Sequence, residues 1–185
     1  MSAEPAPSTG PGPDSLEFRR TMGLFATGVT VVTGLDGREP VGFACQAFAS
    51  VSLEPPLVLF CAGRRGRSWP RIRRAGRFCV NVLAEEQQEV CERFGSAQGR
   101  RFEGLVWEVS PWGTPSLPGV LARVHADVHA VHPAGDHDVV VGHVLAVERV
   151  APERRPMIFF RSRFGIDGSG ASVAPDPWAR ADRWG

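Results

Sequence analysis

Residues 22–33, MGLFATGVTVVT, and residues 42–68, GFACQAFASVSLEPPLVLFCAGRRGRS, decide the fold of this chain. The run Val29-Thr30-Val31-Val32-Thr33 is rich in β-branched side chains and reads as a strand. Asp36-Gly37 reads as a hairpin turn and residues 41–44 as the returning strand, so the chain enters an antiparallel sheet at once. Residues 57–62 and 78–83 are further short apolar runs, and Pro55-Pro56 sets the direction in which the first is entered. Upstream, Asp14 caps a helix with Glu17 three residues on to complete a capping box, while Leu16, Phe18, Met22 and Phe25 supply its apolar face.

A short helix is expected over residues 68–74 and another over residues 85–94, where Val90 and Phe94 lie one turn apart; residues 95–101 form the loop that ends it. Two long strands, residues 120–131 and 139–150, flank the turn Pro133-Ala134-Gly135-Asp136, and residues 157–160 make a last short strand. Many short strands with few helices and no internal repeat give a mainly β fold, an antiparallel Greek-key or split β-barrel rather than a βαβ sheet. Residues 1–13 and 168–185 hold little to bury apart from Trp178 and Trp184. The domain is therefore expected over residues 14–167, between flexible tails.

A chain of 185 residues with 43% apolar content builds one compact core, and a formal charge of +1 provides no net field for nucleic acid or an anionic membrane. All 21 basic residues are arginine, which excludes Schiff-base chemistry and lysine-bound pyridoxal phosphate and favours forked contacts to phosphate or carboxylate. Cys45, Cys61, Cys79 and Cys91 are widely and unevenly spaced, as expected of reduced, mostly buried thiols. No apolar run reaches the ~20 residues that span a bilayer, nor does the N-terminus carry a signal-peptide core, so a soluble cytoplasmic protein is expected.

The sharpest chemical constellation is Arg64-Arg65-Gly66-Arg67-Ser68 between a strand and a helix. Guanidinium forks, a hydroxyl and a close-approaching backbone at Gly66 suit a phosphate; the same residues also suit a solvated basic loop continued by Arg71, Arg73, Arg74 and Arg77. Trp69 beside that loop packs on a cofactor or on the core. His125, Asp127 and His129 share one face of a strand, but Cα atoms ~13 Å apart, at ~3.3 Å per residue, keep the two rings from converging on a metal. No metal is expected. Asp136, Asp138 and Glu148 lack the spacing of an acid–base pair and suit turn or surface roles.

The order of these features resembles the flavin reductase domain family, the reductase components of two-component flavin-dependent monooxygenases. The likeness runs from Phe18-Arg19-Arg20 and Met22-Gly23 through the strand at Val29, then Gly42, Phe48, Ser50-Val51-Ser52-Leu53 and Pro55-Pro56-Leu57. It continues through Phe78, Val80-Asn81-Val82-Leu83, Gln87, Arg93-Phe94, Arg101-Phe102 and Gly135-Asp136-His137 to Val141-Gly142-His143-Val144. The resemblance implies an FMN-binding split β-barrel that forms a homodimer with flavin near the subunit interface, accepts hydride from NADH or NADPH onto FMN or FAD, and passes reduced flavin to an oxygenase.

It further implies a flavin site drawn from Thr27, Gly28, Val29, Gln46, Ala47, Ser50, Val51, Cys61, Arg65, Gly66, Arg67, Ser68, Asn81 and Phe102. His137 of the Gly135-Asp136-His137 turn would meet the nicotinamide, with Arg161 and Phe164 covering the site. Hydride transfer needs two stacked, oriented rings rather than a nucleophile or a metal. Relatives usually read G-M-T-A-N-S-F-T-S-V-S where this chain has Gly42-Phe43-Ala44-Cys45-Gln46-Ala47-Phe48-Ala49-Ser50-Val51-Ser52. Losing two or three side-chain hydrogen bonds there is expected to weaken flavin binding by about one to three orders of magnitude. Two other outcomes stay open: a split-barrel protein that binds flavin or haem without reducing it, and a degenerate homologue that serves as a dimeric assembly partner.

Overall fold

The computed structural model describes residues 12–96 and 101–165. The elements, in order, are α1 (Ser15–Met22), β1 (Thr27–Gly28), β2 (Thr30–Asp36), β3 (Glu39–Cys45), β4 (Phe48–Leu53), β5 (Pro56–Gly63), α2 (Trp69–Ala75) and β6 (Arg77–Val82). A 3-10 turn (Glu85–Gln87) leads into α3 (Gln88–Gly95), followed by β7 (Glu108–Val109), β8 (Pro115–Ser116), β9 (Ala122–Ala134), β10 (His137–Arg149), β11 (Ile158–Phe160) and β12 (Arg163–Phe164). The two expected tails lie almost wholly outside the described residues, as does most of the loop over 95–101.

Seven strands form one antiparallel sheet in the order β3-β2-β6-β9-β10-β5-β4. The sheet curls until edge strand β3 packs across the interior against β5. Phe43 of β3 packs 6.0 Å from Phe60 of β5, and Phe60 makes edge contacts with Phe78 and Trp69 at 5.0 and 5.7 Å. This interior takes apolar side chains from β2, β3, β5, β6, β9 and β10, as a split barrel requires. A second core lies outside the barrel wall, where Ala44, Val29 and Val31 meet Phe94 and Cys91 of α3, with Leu83, Leu117, Val120 and Met157. Strand β3 thus has two buried faces, Phe43 and Cys45 inward and Ala44 outward, and reads as a continuous apolar run.

The structure adjusts several expectations. Strand β9 starts at Ala122 and runs through Pro133 to Ala134, so the four-residue turn contracts to Gly135-Asp136, with Gly135 at φ 63°. Strand β4 had no periodic signal, because it is an edge strand whose Ala49, Ser50 and Val51 are all exposed. Asp14 caps α1 by accepting from the backbone N–H of Leu16 and Glu17 at 2.8 Å, whereas no return bond from Glu17 completes the box. Helix α1 buries none of its residues: Leu16, Phe18 and Met22, and Phe25 just beyond its end, are each more than half exposed. Among the described residues no helix is long and apolar enough to cross a membrane.

Candidate functional site

Backbone pairing gathers the expected site residues at one end of the barrel. Thr30, the first residue of β2, lies opposite Cys45, the last of β3, so residues 27–29 and 46–47 leave the sheet together. The Cys61 N–H donates to the Ala47 carbonyl at 3.0 Å, and the Cys45 thiol contacts the Ala47 and Cys61 carbonyls at 3.7 and 3.5 Å, which ties the β3–β4 turn to β5. His137 pairs with Gly63 at the end of β5, and the Arg64 N–H donates to the Asp136 carbonyl at 3.0 Å. The Arg65-Gly66-Arg67 loop and the Gly135-Asp136-His137 turn therefore sit side by side. Thr27 and Gly28 pair with Phe159 and Ile158, which brings the hairpin carrying Arg161 and Phe164 alongside.

Two polar groups at this end are shut off from solvent without a hydrogen-bond partner among the described residues, the Thr27 hydroxyl Oγ1 and the Gln46 amide Nε2. A third such atom, Ser116 Oγ, lies elsewhere and rests against the Cys79 thiol, a weak partner. An unpaired buried polar atom costs about 1–3 kcal/mol, so two in adjoining segments mark the place where a polar ligand would complete the structure. Ala44, one of the departures from the family pattern, faces the second core and not this gap. Ala47, Ala49 and Ser50 are exposed, and Val51 projects from the edge strand.

A recess of about 400 Å³ opens beside the arginine loop, walled by Gly42, Arg67, Ser68, Arg71, Arg101 and Phe102. Ser68 was expected to offer its hydroxyl to a phosphate. Instead the side chain is buried, donates to the Gly42 carbonyl at 2.8 Å, and accepts from Arg101 Nη1 at 2.6 Å; α2 has no side-chain cap. Arg101 also donates to the Gly42 carbonyl and twice to the Ser96 carbonyl, at 2.9 and 3.3 Å. Burial, with the nearby charge of Arg67, lowers its pKa. Gly42 is needed there because a Cβ would lie 2.8 Å from both Phe94 Cε1 and the Val32 carbonyl oxygen. Phe102 is held edge-on to Phe94 at 5.0 Å and to Trp107 at 5.6 Å. Arg71 is spent on Asp36 and Glu39, at 2.7 Å each.

Two expected site residues belong to the framework. The Asn81 amide is fully buried, donating to the Val31 carbonyl at 3.0 Å and the Thr33 hydroxyl at 3.1 Å while accepting from the Leu117 N–H at 2.9 Å, so nothing remains for a ligand. Val29 is buried in the second core with its N–H bonded to the Met157 carbonyl and its own carbonyl to the Leu83 N–H. Asp138 is corrected in the other direction: it is buried, accepts from the Trp69 indole at 2.8 Å and lies 3.6 and 3.8 Å from Arg64 and Arg73. Trp69 is core, and through Asp138 it anchors the base of the arginine loop.

His137 is about one-third exposed, with Nδ1 2.8 Å from the Asp136 carboxylate. The hydrogen bond from His137, more than its charge, holds the Asp136 carboxyl below the usual range. Nε2 has no partner among the hydrogen bonds of the described residues and is left to face outward. His125, by contrast, is enclosed with Nδ1 2.7 Å from Thr114 Oγ1 and Nε2 3.0 Å from Glu148, stacked on Trp112. Asp127 is paired with Arg77 at 2.6 Å, and His129 falls where the β9–β10 register slips. These three do not converge. Burial pushes the Cys45, Cys79 and Cys91 thiols up to about 12, far from nucleophilic thiolates. Arg101 is the recess-lining residue that local reading missed; its only signal was the Arg101-Phe102 pair closing the α3 loop.

Comparison with known proteins bears on this arrangement. Residues 22–166 match the model of the flavin reductase like domain. The reductase subunit HsaB of a flavin-dependent monooxygenase from Rhodococcus jostii is 49% identical over 166 residues, covering 89% of this chain and 84% of that protein. Among solved structures, a nitrilotriacetate monooxygenase component B homologue from Mycobacterium thermoresistibile superposes with a TM-score of 0.77 at 48% identity, covering 85% of this chain and 89% of the other. The Streptomyces globisporus NADH:FAD oxidoreductase SgcE6, in complex with NAD and FAD fragments, gives 0.78 at 34% identity and covers 86% and 96%.

Proposed function

The chain belongs to the flavin reductase-like domain family, and from that membership we propose that it is an NAD(P)H-dependent flavin reductase that supplies reduced FMN or FAD to a separate monooxygenase. The observation that carries the reading is the pair of unpartnered buried groups, Thr27 Oγ1 and Gln46 Nε2, at the barrel end where the arginine loop and the His137 turn converge. A flavin offers polar ring edges and ribityl hydroxyls to such groups, and its phosphate suits the guanidinium groups beside them. The bound flavin supplies the hydride acceptor and the nicotinamide the donor.

The protein's own part is positional. Gln46, Thr27 and Gly28 define one wall, with Ala47, Ser50, Val51 and Cys61 along the β4–β5 side. Arg65, Gly66 and Arg67 meet phosphate. Asp136 fixes the ring of His137 so that Nε2 addresses the nicotinamide dinucleotide, and Gly135 gives the turn its shape. Arg161 and Phe164 close the flank. The exposed apolar face of α1 supports a homodimer, because Leu16, Phe18, Met22 and Phe25 would gain from burial by a second copy.

The test mixes purified protein anaerobically with FMN or FAD and with NADH or NADPH. Bleaching of the flavin absorbance at a rate proportional to protein is expected. Tight flavin binding without nicotinamide oxidation, for every combination, would overturn the enzymatic reading.

A further inference from the structure

We propose that Arg101 receives the phosphate of the flavin nucleotide, in the recess it shares with Arg67 and Phe102; the inference rests on the flavin reductase reading above. A guanidinium has five N–H donors. Four of those on Arg101 are committed, to the carbonyls of Gly42 and Ser96 and to Ser68 Oγ, and one on Nη2 remains. All of these partners are uncharged. Among the described residues no carboxylate pairs with Arg101, and the neighbouring charge that acts on it is that of another cation, Arg67. Holding a guanidinium partly buried beside a like charge is unfavourable unless an anion completes it.

The geometry is also fixed in advance. Ser68 Oγ and the Gly42 carbonyl orient Nη1 from one side, and Ser96 holds Nε and Nη2 from the other, so an incoming phosphate meets a charge that needs no reordering. The loop arginines differ. Arg64 is 55% exposed and shares the buried Asp138 with Arg73, so solvent screens it and a carboxylate already balances it. Glu39 and Glu103 also line the recess, and Arg71 matches the charge of Glu39 at 2.7 Å. A second recess of about 270 Å³ beside Arg77 and Asp127 has no such bias, because those two side chains neutralise each other at 2.6 Å.

Fluorescence titrations with FMN and with riboflavin, which lacks only the phosphate, test the assignment without relying on turnover. Wild-type protein should bind FMN about tenfold or more tighter than riboflavin. Arg101→Gln should weaken FMN by about ten- to a hundredfold and leave riboflavin within about twofold, with Arg101→Lys intermediate. In the unmodified protein, inorganic pyrophosphate should displace FMN and not riboflavin, a measurement independent of any variant. Equal affinity of wild type for the two flavins, or equal loss of both in Arg101→Gln, overturns the inference while the reductase reading stands. Wild-type protein that binds neither flavin overturns both.

Discussion

Replacing Thr27 by Val separates the cost of an unpartnered hydroxyl from its use. The two side chains are both β-branched and nearly isosteric, so β1 keeps its pairing with β11. Thr27 Oγ1 is buried with no hydrogen-bond partner among the described residues, an arrangement that costs about 1–3 kcal/mol, and without bound flavin its removal should stabilise the fold by at least about 1 kcal/mol. For a chain of 185 residues that raises the melting temperature by roughly 2–4 °C. Flavin binding should move the opposite way. If the flavin is what satisfies the hydroxyl, the variant forfeits that relief, about 1–3 kcal/mol or roughly five- to 150-fold in Kd. Differential scanning fluorimetry and FMN fluorescence quenching read the two effects on the same samples. A lower melting temperature would refute the unpartnered state. A higher melting temperature with unchanged Kd would refute the placement of Thr27 against the flavin.

Three further outcomes are expected. Gly42→Ala places a methyl group 2.8 Å from the Val32 carbonyl, which cannot yield as the Phe94 ring can; it should destabilise by about 1–3 kcal/mol in urea unfolding, and an unchanged midpoint would contradict the close approach. Arg71→Ala removes the hydrogen bonds that hold the Asp36 and Glu39 carboxyls below their usual range. Carboxylates depressed in the folded state add stability above their unfolded pKa of about 4 and lose it as pH falls through the folded value, so the gap between wild type and variant should be wide at pH 7 and should close as the pH is taken below about 4. A gap constant with pH would assign it to packing. Phe18→Glu should convert a wild-type dimer to monomer in sedimentation velocity, and a monomeric wild type would leave the α1 face to another partner.

How far the sequence could be read depended on the range of the interactions involved. The β2–β3 hairpin was legible because its β-branched residues and its Asp36-Gly37 turn are neighbours along the chain. The Asp14 cap was legible for the same reason. Strand β4 was not: an exposed edge strand has no buried face to impose alternation. Asp138 looked like a turn acid because the indole it binds belongs to Trp69, 69 residues away. Ser68 looked like a phosphate ligand because Arg101, 33 residues on, is what claims its hydroxyl. The arginine loop was legible as a run of neighbours, whereas Arg101 reaches the same recess only through the fold and gave no local sign of it. Asn81 and Val29 fit a family pattern and turned out to satisfy the framework that holds the site.

The departures from the family pattern at the β3–β4 turn acquire a different weight once their positions are known. Ala44 faces the second core, so a hydroxyl there would be a buried polar group needing its own partner. Ala47 and Ala49 are exposed, where a lost side-chain hydrogen bond competes with water and is worth little. Gln46, the substitution that keeps an amide, is the one whose donor is buried and unpaired. On the reading proposed above, the recognition energy would be concentrated in few groups: Thr27 and Gln46 at one part of the site, and the oriented charge of Arg101 at the phosphate. A reductase that hands its product to another protein must release it, and each further contact to the ground state would slow that release. Fewer side-chain contacts with a strong phosphate anchor would select for the nucleotide without holding the ring, and on the proposed reading that ties the sparse turn and the guanidinium of Arg101 to one requirement.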